Sequence, residues 1–209
     1  FVNYVRRYKG VEDTPVFGRL PVPDGAAVGC FCESDAVYDS FDDGDFARHA
    51  EGSGCVYDNR TQRNAIRKIK VKHDGEYLCF LLRTKQPVTP YDGTGSWMRL
   101  YLNTTGGQGY QFVLNTHPAP DGTTTLARVT GTDDGLTAAD LPDVAAFYEA
   151  DGDKFKIKVP LRALGLDPDG FTVWFKAADS REPIASVEDF YDKGDVAPLG
   201  RMNFVYRGK

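Results

Sequence analysis

Ile66-Arg67-Lys68-Ile69-Lys70-Val71-Lys72-His73-Asp74-Gly75-Glu76-Tyr77-Leu78-Cys79-Phe80-Leu81-Leu82-Arg83 is the stretch on which the fold turns. Ile69 and Val71 alternate with Lys68, Lys70 and Lys72, the period-2 pattern of a strand with one buried and one wet face. His73-Asp74-Gly75 supplies turn chemistry. Glu76–Arg83 then runs apolar on both faces, as a strand inside a sheet does. The segment therefore predicts a hairpin whose second strand is central.

The same grammar extends in both directions. Trp97–Asn103 alternates Met98, Leu100 and Leu102 against Trp97, Arg99 and Tyr101. Tyr110–Asn115, Thr123–Thr130, Val144–Glu149 and Asp153–Val159 read as strands, the last with Phe155, Ile157 and Val159 set against lysines. Phe171–Ala177 sets Phe171, Val173 and Phe175 against Trp174 and Lys176, and Met202–Tyr206 closes the series. A first strand is expected at Val28–Ser34, and Leu161–Leu166 has room for one helical turn. No stretch keeps helical periodicity beyond about three turns. About ten strands with very little helix predict an all-β fold, a sandwich of two packed antiparallel sheets.

Composition agrees. The chain has 209 residues, 41% hydrophobic and 26% charged, enough for one large all-β domain. Residues 25–209 are expected to form that domain. Residues 1–24, with Arg6-Arg7-Tyr8-Lys9 and Pro15, Pro21 and Pro23, read as a linker or strap from an upstream domain. Net charge is −5 and the isoelectric point about 5.2, so the basic footprint of a nucleic-acid partner is missing. No apolar run reaches the length of a membrane span.

Catalytic motifs are not found. The chain has no G-x-S-x-G elbow, no H-E-x-x-H and no phosphate-cradling glycine loop, so it is read as a non-enzyme. His49, His73 and His117 fall at unrelated spacings and read as surface residues. Cys79, inside an apolar run, reads as a buried thiol. A bridge from Cys55 to Cys30 or Cys32 stays open. Asp39, Asp42, Asp43 and Asp45 lie in an acidic, glycine-rich loop over Asp39–Gly54. They are the candidate ligands for a structural calcium ion, balanced against a merely solvated loop. Asn59-Arg60-Thr61 and Asn103-Thr104-Thr105 match the glycosylation triplet and carry no weight. Trp97, Tyr101 and Trp174 fall on the outer pleat, with Arg99 and Lys176 beside them. There flat aromatics could stack on sugar rings, unless a loop or the leader covers them.

Several segments taken in order resemble the family 9 carbohydrate-binding modules and related (DOMON-like) sandwich domains at the C-terminus of large bacterial glycoside-hydrolase-related proteins. They are Asp58–Ile66, Val71–Phe80, Ser96–Asn103, Gly109–Asn115, Ile157–Leu166, Phe175–Asp179, Asp189–Tyr191 and Gly194–Arg201. The resemblance covers roughly Ala27 to Tyr206. It implies a jelly-roll or immunoglobulin-like β-sandwich in a secreted, periplasmic or cell-surface bacterial protein. Such a module is non-catalytic, often holds calcium, and targets an attached polysaccharide-degrading domain of the same polypeptide to its polysaccharide or oligosaccharide.

By the same resemblance the sandwiching aromatics come from two loops, here offering Tyr91 or Trp97 and Phe190 or Tyr191. The turn Asn103–Gln111 lacks the family's carboxylates, and Ala177 stands where a tryptophan is common. A structural sandwich packed on a catalytic neighbour is therefore the alternative reading. A haem-binding sandwich, using Met98, Met202 or the histidines, is a remote one.

Overall fold

The computed structural model describes Gly29 and residues 31–40, 47–50, 55–58, 60–107, 109–131 and 135–209, with the backbone alone at 47–50 and 55–58. Fifteen strands are formed within these residues: β1 (Ala36–Asp39), β2 (Ala47–Ala50), β3 (Cys55–Asp58), β4 (Ile66–His73), β5 (Tyr77–Thr84), β6 (Ser96–Asn103), β7 (Phe112–Leu114), β8 (Thr123–Thr124), β9 (Leu126–Val129), β10 (Ala138–Asp140), β11 (Ala146–Asp151), β12 (Lys154–Pro160), β13 (Phe171–Ser180), β14 (Asp195–Ala197) and β15 (Phe204–Gly208). Helix among the described residues is confined to a 3-10 turn at Leu161–Leu164 and one turn of α-helix, α1 (Asp189–Asp192).

The first sheet runs β1-β4-β5-β12-β11-β8 and the second β10-β9-β7-β6-β13-β14, every pairing antiparallel. β15 continues the second sheet beside the first half of β13, and β2 with β3 forms a separate hairpin. The fold is the expected two-sheet, all-β sandwich. The β4–β5 hairpin and the central place of β5 follow the sequence expectation, because Ile69, Val71, Leu78, Phe80 and Leu82 all enter the core between the sheets. From the other sheet Leu100, Leu102, Phe112, Leu114, Val173, Phe175 and Ala177 meet them.

Four expectations shift. The first described strand is Ala36–Asp39; of the expected Val28–Ser34 strand, Val28 and Cys30 lie outside the described residues and 31–34 are not strand, because Asp35 folds back to accept the Cys32 N–H at 2.6 Å and holds a turn there. Thr123–Thr130 is two strands, β8 in one sheet and β9 in the other, so the chain changes sheets at Thr125. Part of the expected acidic loop is strand, since β2 lies within it. The short elements β10, α1 and β14 had no periodic signal to announce them.

The fifth difference matters most. Trp97 joins the core at 3% exposure instead of facing outward. Met98 takes a positive φ of 44°, and the pairing of β6 with β13 shifts register between Ala178 and Ser180. This bulge turns Trp97 and Met98, successive residues, into the same core. It is held from both sides. Asp179 accepts the Met98 N–H at 3.0 Å, while Asn115, itself at φ 73°, donates to the carbonyls of Trp97 and Met98. The indole ring then packs against Tyr91, Tyr148 and Phe155, and its Nε1 donates to the Thr89 carbonyl at 2.8 Å.

Asp179 is the anchor of this corner. Besides Met98 it accepts from the Asn64 N–H at 3.0 Å and from Nε and Nη2 of Arg63, both at 3.3 Å. Desolvation pushes its pKa up, and Arg63 with the backbone donors pulls it back down. Asp195, its register partner on β14, accepts the N–H of Ile66 from the opposite sheet. Residues 63–66 are thus pinned to the second sheet just before they enter the first.

Candidate functional site

The outer face of the second sheet is not bare. Past β13 the chain folds back over it, and Ile184, Val187 and Phe190 pack with Tyr101, Tyr110, Val113, Ala178 and Val196 into a second apolar cluster. The covering segment is tied down by backbone. Ile184 N–H donates to Ser96 Oγ at 3.0 Å, Leu136 N–H to the Ala185 carbonyl at 2.6 Å, and Gly194 N–H to Thr61 Oγ1 at 2.6 Å. Gly194 has φ 62°, and a Cβ there would sit 2.1 Å from the Asp179 carbonyl oxygen, so no larger residue fits the return.

At one margin of this cluster opens a cavity of about 330 Å³, lined by Gly107, Gly109, Tyr110, Val187, Phe190, Arg201 and Asn203. Its size is at the lower end of small-ligand sites, about 300–1,000 Å³. The apolar wall is Phe190 and Val187. Tyr110 hydroxyl donates to Asn203 Oδ1 at 2.7 Å, which fixes the amide. The glycine wall is built by Asn103: its Oδ1 accepts the N–H groups of Thr105 and Gly106, and its Nδ2 donates to the carbonyls of Gly107 and Gly109, both at 2.7 Å. All of that amide is spent on its own loop, so the Asn103 triplet is closed to glycosylation. Met202, 69% exposed, stands between Arg201 and Asn203 in the chain beside the mouth.

Of the described residues singled out in the sequence, the structure brings Phe190 alone to this cavity. Tyr101, at 1% exposure, lies under Phe190 with ring centroids 5.0 Å apart; it is core of the second cluster, not an outward platform. Trp174 is half-buried and covered by the β6–β7 loop, where a Cβ on Gly106 would come within 2.9 Å of its ring. Arg99 is half-buried, and its Nε has no hydrogen-bond partner among the described residues. Tyr191 turns away from the cavity to pack on Gly200. Tyr91, 36% exposed, leans on Trp97 at a different place, 5.6 Å between ring centroids. The bulge at Met98 corrects the outer-face reading of Trp97, while Tyr101 keeps its outer-pleat position and is covered by the returning segment, the alternative left open in the sequence.

Asp39 pairs with Lys68 at 3.4 Å; Asp42, Asp43 and Asp45 lie outside the described residues, as do Cys30 and the side chains of His49 and Cys55. Cys32 is an exposed free thiol, so it makes no bridge to Cys55. Cys79 is buried as expected, and burial pushes its pKa up to about 11. His73 is not a loop residue: it ends β4 with its ring 5.1 Å from Phe171. His117 is exposed and stands 2.8 Å from Asp140. Met98 is fully buried beside Leu100 and Leu102, as its alternation implied.

Sequence reasoning missed Tyr110, Arg201, Asn203 and the scaffolding Asn103. It placed Lys176 on the outer pleat beside the aromatics but did not foresee its burial. Lys176 is fully buried, its Nζ donating to the Pro198 carbonyl and lying 5.2 Å from the Phe190 ring. Desolvation alone brings its pKa down from 10.5 to about 7. The unfolded chain keeps this proton up to about pH 10.5, and the folded chain gives it up near pH 7. Stability should therefore rise with pH across that window, by up to about 1.4 kcal/mol per unit, and be flat below it. Urea midpoints at about pH 7 and about pH 9.5 should show the rise in the parent and a smaller one in Lys176→Met. Equal slopes in the two proteins would mean that the ammonium is solvated.

No helix among the described residues is long and apolar enough to cross a membrane. No family model, curated protein or solved structure matches the chain.

Proposed function

We propose that this is a non-catalytic carbohydrate-binding module whose sugar enters the cavity between the β6–β7 loop and residues 201–203. One observation carries the reading: an apolar aromatic wall, Phe190 and Tyr110, faces an amide held in one orientation, Asn203. Sugar rings present C–H faces and hydroxyl edges, and a wall of that kind beside a fixed amide matches both. The resemblance to family 9 modules supports it, and would make the chain the targeting part of a polysaccharide-degrading protein.

Calorimetric titration with mono- and oligosaccharides should give binding that Asn203→Ala weakens by up to about tenfold, the effect of one lost hydrogen bond. Silence across a broad panel would end the proposal. The alternative, a structural sandwich that packs on a neighbouring domain, is favoured by the burial of Trp97 and Tyr101, which leaves neither on display.

A further inference from the structure

The side chains that line the cavity are unequal in sign. Arg201 is exposed and makes no hydrogen bond or ion pair among the described residues. Asn203 also lines the cavity; its oxygen is occupied by the Tyr110 hydroxyl, and its N–H donors have no partner among the described residues. Among the described residues no aspartate or glutamate lines the space. Described side chains thus offer a guanidinium and an amide NH2, both donors, and no carboxylate to compete for them.

We infer that the sugar bound here is acidic: a saccharide whose anionic substituent, a carboxylate or a sulfate ester, is held by the Arg201 guanidinium while its ring lies against Phe190 and Val187. This rests on the sugar reading of the same cavity. A guanidinium presents parallel N–H groups that match the two oxygens of a carboxylate or two of a sulfate, and such charge-assisted pairs are the strong ones. The Asn203 NH2 is placed to take a neighbouring oxygen. Bulk charge cannot imitate this preference. The chain carries net −5 and repels anions as a whole, so attraction to an acidic sugar has to come from a local cation.

The test is a set of parallel titrations of the 209-residue chain. Galacturonic and glucuronic acids and their short oligomers are compared with galactose, glucose and the matching neutral oligomers. Glucose 6-sulfate forms a third arm. Acidic members should bind about tenfold or more tighter than neutral ones, and the difference should shrink as salt is raised. Comparing the uronates with the sulfate ester tells which anion the fork prefers. Arg201→Gln should remove the difference between acidic and neutral members, and Arg201→Lys, a charge without the fork, should keep part of it. The Arg201 side chain has no bond to another described residue to lose, so both variants should fold, which near-ultraviolet circular dichroism would verify.

Neutral and acidic sugars bound equally by the parent would overturn this inference and leave the sugar module standing. An acidic preference that persists in Arg201→Gln would overturn the assignment to this cavity. Absence of binding to every sugar would overturn both.

Discussion

Asp179→Ala should destabilise the protein by about 3–5 kcal/mol, the cost of removing one partner of a buried ion pair. The carboxylate is fully buried and accepts from Arg63, Asn64 N–H and Met98 N–H. Its loss strands two backbone donors and leaves the Arg63 side chain, 2% exposed, without its inner partner. Asp92 does not take over. It engages Nη1 from a half-exposed position, and an exposed pair returns at most about 1 kcal/mol. Domains of this kind hold about 5–15 kcal/mol in all, so the variant should unfold at a much lower urea concentration. Asp179→Asn should recover little, because the amide keeps an acceptor but not the charge. A midpoint shift worth less than about 1 kcal/mol would mean that water replaces the carboxylate and the corner is not closed.

Phe190→Ala should cost about 3–5 kcal/mol if the whole domain feels it, the range for deleting a buried aromatic ring. Phe190 is 1% exposed and meets Tyr101 and Tyr110 at 5.0 and 5.8 Å between ring centroids. It is also the ring that shields the Lys176 ammonium. Its removal should loosen the covering segment before the sandwich itself, since the main core between the sheets does not include it. Hydrogen exchange should therefore speed up at the amides of residues 184–193 more than in β5 or β12. The rise of stability with pH should weaken, because water reaching Lys176 returns its pKa toward the ordinary value. Sugar binding should fall with the loss of the cavity wall. Exchange unchanged over residues 184–193 would show that the segment is held by its backbone ties to Ser96, Leu136 and Thr61 and not by the ring.

Both effects arise where the second sheet is covered, which alters how a sugar module of this fold would work. Flat rings displayed on an open sheet would suit the surface of a crystalline polymer. Here the sheet face is closed by Ile184, Val187 and Phe190, and what remains is a small cavity at its margin. A site of that size suits one or two sugar rings, a chain end or a side branch.

Local pattern determined much of this. Alternation at Ile69/Val71, Leu100/Leu102, Phe155/Ile157/Val159 and Val173/Phe175 marked strands and their inward faces correctly, because side chains on a pleat point to opposite sides by geometry alone. The turn at Asp74-Gly75, though not His73, which ends β4, and the doubly apolar β5 followed from residue chemistry in the same way. Such signals act within a few residues.

Tertiary structure decided the rest. One bulge at Met98, imposed by Asp179 from 81 residues away, moved Trp97 from the outer pleat to the core. The aperiodic segment around Phe190, carrying no strand signal, became the cover of the second sheet and turned Tyr101 into core. The cavity joins Gly107 and Tyr110 to Arg201 and Asn203, with a hydrogen bond spanning 93 positions. Nothing in the local alternation of either segment encodes that meeting, because it depends on which strands become neighbours in the sheet and on how the chain returns across it.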